Sequence, residues 1–305
     1  MTVRLWRAML VLGLAVQGVV FAVHAGLIVS FPFEVDYGEG AVLQLATLLH
    51  RGEPLYRPVD APPFVACLYT PVYVALSSAL VGEAPAFWGG RLLSVLATLV
   101  VTALLVRRLG GWWGATFAAL FLGHALVLNW GVLYRVDMLA LLFAALGLLQ
   151  AERPSRYQEV ACAGWFALSI LTKQSFLAAP VAVLVWWLPT SPWKALRLLA
   201  WLAGMVGLPL AGLHHFSQGA SSLLLLRSNA LHYMPEQLLL YLSNYLPTVG
   251  GMLVLAGLAA RESWRERRLW VLYLAASLVS VLGSGRTYAF YNYFLEFHLA
   301  LCVLA

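Results

Sequence analysis

Three carboxylates stand close together in the segment Glu34-Val35-Asp36-Tyr37-Gly38-Glu39-Gly40. Carboxylates at this spacing can hold a divalent metal through oxygen, or one of them can serve as a general base. Gly38 and Gly40 let a ligand approach the backbone closely. The segment directly follows a long apolar run, and carboxylates at a hydrocarbon boundary are costly to keep there without a partner or a function. A solvated loop start is the plain alternative. Asp36 and Glu39 are the candidate catalytic residues and also the candidate ligands of a divalent metal.

Groups suited to phosphate lie further along. Tyr134-Arg135-Val136-Asp137 ends an apolar run, where Arg135 can grip a phosphate with its planar fork or pair with Asp137 at the membrane edge. Thr172-Lys173-Gln174 falls between two short apolar stretches, a setting that marks ligand sites in membrane proteins. Lys173 is a point charge for phosphate or a snorkelling lysine. The segment from Gly283 to Tyr293 supplies Arg286 and Tyr288. Asn292 and Glu296 share a helix face at i,i+4. Glu296 and His298 sit inside an apolar run, where an ionisable residue is a functional hypothesis by default. Tyr69 and Tyr73 follow a stretch ordered by prolines such as Pro62 and Pro63; they stack on a sugar or join an interfacial aromatic belt. His24 and His124 read as structural, and His214, His215 and His232 lack a metal-site spacing. Cys67, Cys162 and Cys302 form neither a disulfide framework nor a zinc knuckle.

The elements that position these groups are apolar helices. Hydrophobic residues make up 62% of the 305 positions and charged residues 10%, against about 25% charged in soluble domains. The apolar runs are continuous rather than alternating, which excludes a barrel and predicts an all-α integral membrane protein. Runs of roughly 20 residues make a span. About ten are expected, near 5–31, 86–106, 112–130, 138–149, 160–171, 176–188, 196–213, 238–260, 269–282 and from 291 to the end. Residues 40–50 and 72–81 are expected as juxtamembrane helices in the first outer loop. The first run is too long for a signal-peptide core.

With the N-terminus in the cytoplasm, that side holds Arg4, Arg7, Arg107, Arg108, Arg153, Arg156, Lys194, Arg197, Arg261, Arg265, Arg267 and Arg268, which is 12 of the 19 basic residues. This agrees with the positive-inside rule. It also accounts for the net charge of +6 without a nucleic-acid partner. Nine of the 13 acidic residues then fall on the other side, together with the candidate site. No internal repeat is visible, so a single polytopic domain over 1–305 is expected.

Asp36 and Glu39 after a first span, Tyr69-Thr70-Pro71, Arg91-Leu92-Leu93, Arg135-x-Asp137 and Thr172-Lys173-Gln174 together resemble the GT-C membrane glycosyltransferases. The nearest branch is glycosyltransferase family 39-like, which contains the protein O-mannosyltransferases and the lipid A aminoarabinose transferase. Members usually carry an adjacent Asp-Glu where this chain has Asp36-Tyr37-Gly38-Glu39. They are generally longer, so a C-terminal continuation is expected. The resemblance implies transfer of a sugar from a polyprenyl-phosphate donor to a lipid, glycan or protein acceptor. It implies a bacterial plasma membrane with the site facing outward. Asp36 would deprotonate the acceptor, Glu39 would orient it or hold a metal, and Lys173, Arg135 or Arg286 would stabilise the departing phosphate. Asp137, Gln174, Tyr69, Tyr288, Asn292 and Glu296 complete the expected binding set. A transporter or flippase of lipid-linked sugars and a non-catalytic assembly subunit are the alternatives; dispersed midplane charges and matching halves would favour transport.

Overall fold

A computed structural model of the chain describes residues 2–58, 65–227 and 231–305, with side chains from residue 8 onward. Pro62, Pro63 and the side chains of Arg4 and Arg7 lie outside the described residues. Among the described residues the fold is all helical, with one isolated antiparallel bridge between Tyr233 and Arg286.

The order is α1 (Thr2–Ser30), α2 (Tyr37–His50), α3 (Pro71–Ser78), α4 (Trp88–Leu109), α5 (Gly111–Gly123), α6 (Ala125–Trp130), α7 (Asp137–Ala151), α8 (Gln158–Thr172) and α9 (Ala178–Trp187). It continues with α10 (Pro192–Phe216), the single turn α11 (Ala220–Ser222) running into a π-helical turn at Leu223–Arg227, α12 (Pro235–Glu262), α13 (Trp264–Leu282) and α14 (Leu295–Leu304). Prolines open α3, α10 and α12 at the first helical turn, where the missing N–H costs nothing. Gly110, at φ 69°, ends α4.

Among the described residues, five helices are long and apolar enough to cross a membrane: Ala8–Ser30 within α1, then α4, α10, α12 and α13. The protein is therefore an integral membrane protein. The other expected spans are shorter. The run at 112–130 is broken at His124, which turns extended between α5 and α6 and caps α6 by accepting the Leu126 N–H. The runs at 160–171 and 176–188 become α8 and α9, parted by an extended Lys173. The juxtamembrane expectations correspond to α2 and α3.

α7 is the central element. It packs on α8, α4 and α9, and most of its side chains are buried. α8 leans on α10, α9 on α13, and α13 on α14. α1 lies outside against α5 and α4 and leaves Leu12 and Leu27 two-thirds exposed. Such apolar exteriors fit a lipid solvent.

Candidate active site

The acidic segment is built around the start of α2. Asp36 is its N-cap: its Oδ2 accepts the Gly38 N–H at 3.0 Å. Glu39, at the third helical position, turns back and accepts the Val35 N–H at 2.7 Å. This approximates a capping box, in which a cap residue and an acid three positions on satisfy the free N–H groups of the first turn.

Glu39 is then claimed by α4. Arg91 grips it with two parallel bonds, Nε to Oε1 at 2.8 Å and Nη2 to Oε2 at 2.6 Å. The Tyr134 N–H also donates to Oε1 at 2.7 Å. The rest of the Arg91 fork donates to the carbonyls of Ile28, Phe31 and Phe33 where α1 ends. Both side chains are fully buried. Burial pushes the Glu39 carboxyl up, but the bonds from Arg91, Tyr134 and Val35 outweigh it and hold the group below its ordinary value.

Asp36 lies differently. Its side chain is 18% exposed and pairs with Arg135, whose Nη1 donates to Oδ2 at 2.8 Å. Oδ1 takes no hydrogen bond from the described residues. Arg135 is held between rings, with Trp130 at 5.1 Å and Tyr69 at 6.0 Å from its guanidinium carbon. Burial opposes its charge; Tyr69, Asp137 and Asp36 outweigh burial and raise its pKa. Gly38 is required here, because a Cβ would overlap the guanidinium.

Asp137 opens α7 and is fully buried. Its Oδ1 accepts from Lys173 Nζ at 2.5 Å and from Asn292 Nδ2 at 2.8 Å. Its Oδ2 faces Arg135 Nε at 3.9 Å, too far for a hydrogen bond, and both atoms are unpartnered. Two carboxylates and two cations thus alternate as Asp36, Arg135, Asp137 and Lys173. Because α8 stops one residue earlier, the Lys173 side chain reaches inward over the Tyr293 ring at 4.6 Å.

Lys173 also stands at one end of a cavity of about 680 Å³. Tyr69, Gln174, Arg286 and Tyr293 share that polar end. Arg286 Nη2 donates to Tyr293 Oη at 3.2 Å. Apart from Ser175 and Ser280, the remaining wall is apolar and includes Leu177, Val181, Leu226 and Val279, which are 45–73% exposed. A molecule with a charged head and an apolar tail fits this gradient.

Comparison with solved structures gives a clear match. The fold is shared with ArnT. ArnT from Cupriavidus metallidurans in the apo state has a TM-score of 0.71 at 15% identity, covering 100% of this chain and 59% of ArnT. The same protein bound to undecaprenyl phosphate has a TM-score of 0.68 at 19% identity, covering 97% of this chain and 59% of ArnT. The chain therefore spans about three-fifths of the ArnT length. No sequence family and no curated protein matches it.

On this ArnT-like fold, Asp36, Arg135, Asp137, Lys173 and Asn292 form one connected group. Tyr69, Gln174 and Arg286 join them at the cavity. Glu296 lies one layer behind, bonded to Ser280 Oγ at 3.1 Å across a small void that Lys173 also lines. Tyr288 is on the outer rim, 74% exposed, and contributes only its carbonyl to the Tyr37 hydroxyl. Glu39 is beside the group but sealed from it. The donor set does not fit a divalent ion at Asp36 and Glu39: four N–H bonds occupy the Glu39 oxygens, and Arg135 occupies one oxygen of Asp36. No group of three or more metal-ligating side chains occurs among the described residues.

The sequence reading missed Trp130 and Tyr293, which stack on Arg135 and Lys173, and the anchoring role of Arg91. Arg91 had a readable signal. An arginine in the first turn of an apolar helix needs a carboxylate, and Glu39 was available. Stacking aromatics leave no such mark in a chain that is 13% aromatic.

Proposed function

We propose that the chain is a GT-C membrane glycosyltransferase that moves a sugar from a polyprenyl-phosphate donor to a hydroxyl acceptor on the non-cytoplasmic side. One observation carries this reading. Arg135 links Asp36 to the Asp137–Lys173 pair beside a cavity lined by Lys173 and Arg286 and by the exposed apolar side chains of Leu177, Val181 and Val279. The ArnT fold supports it, because ArnT is a GT-C glycosyltransferase and one of its structures holds undecaprenyl phosphate.

In this reading the donor phosphate sits by Lys173 and Arg286, with its prenyl chain along Leu177, Val181 and Val279. Asp36 Oδ1 takes the proton of the acceptor hydroxyl. The hydroxyl oxygen bonds to the anomeric carbon as the bond from that carbon to the phosphate oxygen breaks. The phosphate leaves with the electron pair and one more negative charge, which Lys173, Arg135 and Arg286 stabilise. Glu39 acts as a positioning residue: it fixes α2 so that Asp36 faces Arg135. Asp137 holds Lys173 and Asn292 in place. The helices α5 with α6, α7, α8, α9 and α14 join the five long ones as ten spans of a single polytopic domain. The N-terminus lies in the cytoplasm of a bacterial cell and the site faces outward.

The test is an assay of the purified protein with polyprenyl-phosphate sugars. Wild type releases free polyprenyl phosphate. Asp36→Asn lowers release by about 10²–10⁴-fold, the usual share of a general base, and keeps donor binding. Undiminished release in that variant removes Asp36 as the base. Movement of intact donor between leaflets, with no free polyprenyl phosphate, replaces transfer by transport.

A further inference from the structure

The end of the bundle remote from Asp36 carries a recess of its own. On α4, Arg91 belongs to the candidate site and Arg107 to the opposite end, with roughly 24 Å of helix between them. α7 runs alongside, from Asp137 to its C-cap at Glu152. Between their ends lies a cavity of about 410 Å³ lined by Leu104, Arg107, Arg108, Leu149, Glu152 and Arg153.

The charges in this wall are unequal in availability. Arg108 donates twice to Glu152, from Nε and Nη2, each at 2.8 Å. The Trp270 indole N–H of α13 donates to the same carboxylate at 2.9 Å. Glu152 is therefore covered and its charge is offset. Arg107 and Arg153 are exposed and have no ion pair among the described residues. One turn deeper, Leu104 and Leu149 are partly buried and form an apolar floor. A narrow apolar crevice continues beneath it past Val101, Ala145 and Leu299.

We propose that this recess binds an acidic glycerophospholipid of the leaflet opposite the candidate active site. Its phosphate lies between Arg107 and Arg153, and one acyl chain lies over Leu104 and Leu149. Charge complementarity selects an anionic head over a zwitterionic one. The apolar floor selects a lipid over a free anion, since exposed cations hold a free ion only weakly against salt. The site is independent of the reaction at the other end.

The test uses the full chain in neutral detergent, titrated with phosphatidylglycerol or phosphatidylcholine and read by native mass spectrometry. Wild type retains phosphatidylglycerol in preference to phosphatidylcholine. The double variant Arg107→Gln/Arg153→Gln weakens that retention by up to about thirtyfold, as loss of two near-surface charges at about 1 kcal/mol each implies. A control, Arg261→Gln/Arg265→Gln, removes two exposed charges from the same end but outside the recess and keeps the preference. Equal loss in both variants overturns the proposal, leaving only general attraction to a basic surface. Absence of a phosphatidylglycerol preference in wild type, or equally strong displacement by inorganic phosphate, overturns it as well.

Discussion

Replacing Glu39 by Gln leaves the Arg91 guanidinium buried without a counter-charge. Breaking a fully buried pair in this way costs about 3–5 kcal/mol, so Glu39→Gln lowers the melting temperature in detergent substantially. Acid has a related effect. The folded carboxyl titrates below its ordinary value, so it contributes stability that is present above the unfolded value of about 4.3 and is lost as pH falls through the folded value. Melts of wild type and Glu39→Gln between pH 7 and pH 3 should therefore converge on the acid side. A constant gap across that range would show that the cost of Glu39→Gln does not come from losing the carboxylate charge. Asp36 should behave differently, since its removal leaves the Arg91 anchor intact and, in the proposed reaction, takes away the base. Composition and spacing alone made the two carboxylates equivalent candidates. What separates them is which basic residue each meets across the fold, Arg91 for one and Arg135 for the other.

At the scale of elements, α2 closely approaches the loop before α7. Gly38 has no side chain to keep Arg135 away from Asp36. Gly38→Ala displaces that guanidinium, and the expected outcome is a large fall in kcat at retained yield, with a lowered melting temperature from the disturbed Arg135–Asp36 pair. Normal turnover would mean that the Arg135–Asp36 contact is dispensable. The helices themselves were mostly legible, because apolar runs of span length leave one solution in lipid. α2 and α3 were legible as short helices between the first two long apolar helices. The breaks were less so. His124 interrupts an unbroken apolar run by capping α6 with its ring, and no proline or glycine pair marks that function. The interruption at Lys173 was visible, since a charged and polar triplet parts two apolar stretches. Its consequence, a lysine turned onto Asp137 from another helix, depends on tertiary packing.

For the whole molecule, the candidate site and the lipid recess occupy opposite ends of α4 and α7, so orientation decides which faces the cytoplasm. Cys67, Cys162 and Cys302 are all buried and should stay silent to labelling. A cysteine placed at exposed Glu34 should then react with a membrane-impermeant maleimide added to intact cells. Labelling only after lysis would invert the proposed topology and put the chemistry in the cytoplasm. In the proposed reaction the cavity would take a phosphate head at Lys173 and Arg286 and an apolar tail along Leu177, Val181 and Val279.

The Arg91 fork reaches back to carbonyls 58, 60 and 63 residues earlier in the chain. Those oxygens lie where α1 ends and the acidic turn begins. On a growing chain they emerge well before their donor does. The local caps at Val35 and Gly38 can form without α4, but the tie between this turn and the bundle waits for Arg91. A chain ending short of Arg91 would lack the guanidinium that ties the end of α1 to Glu39.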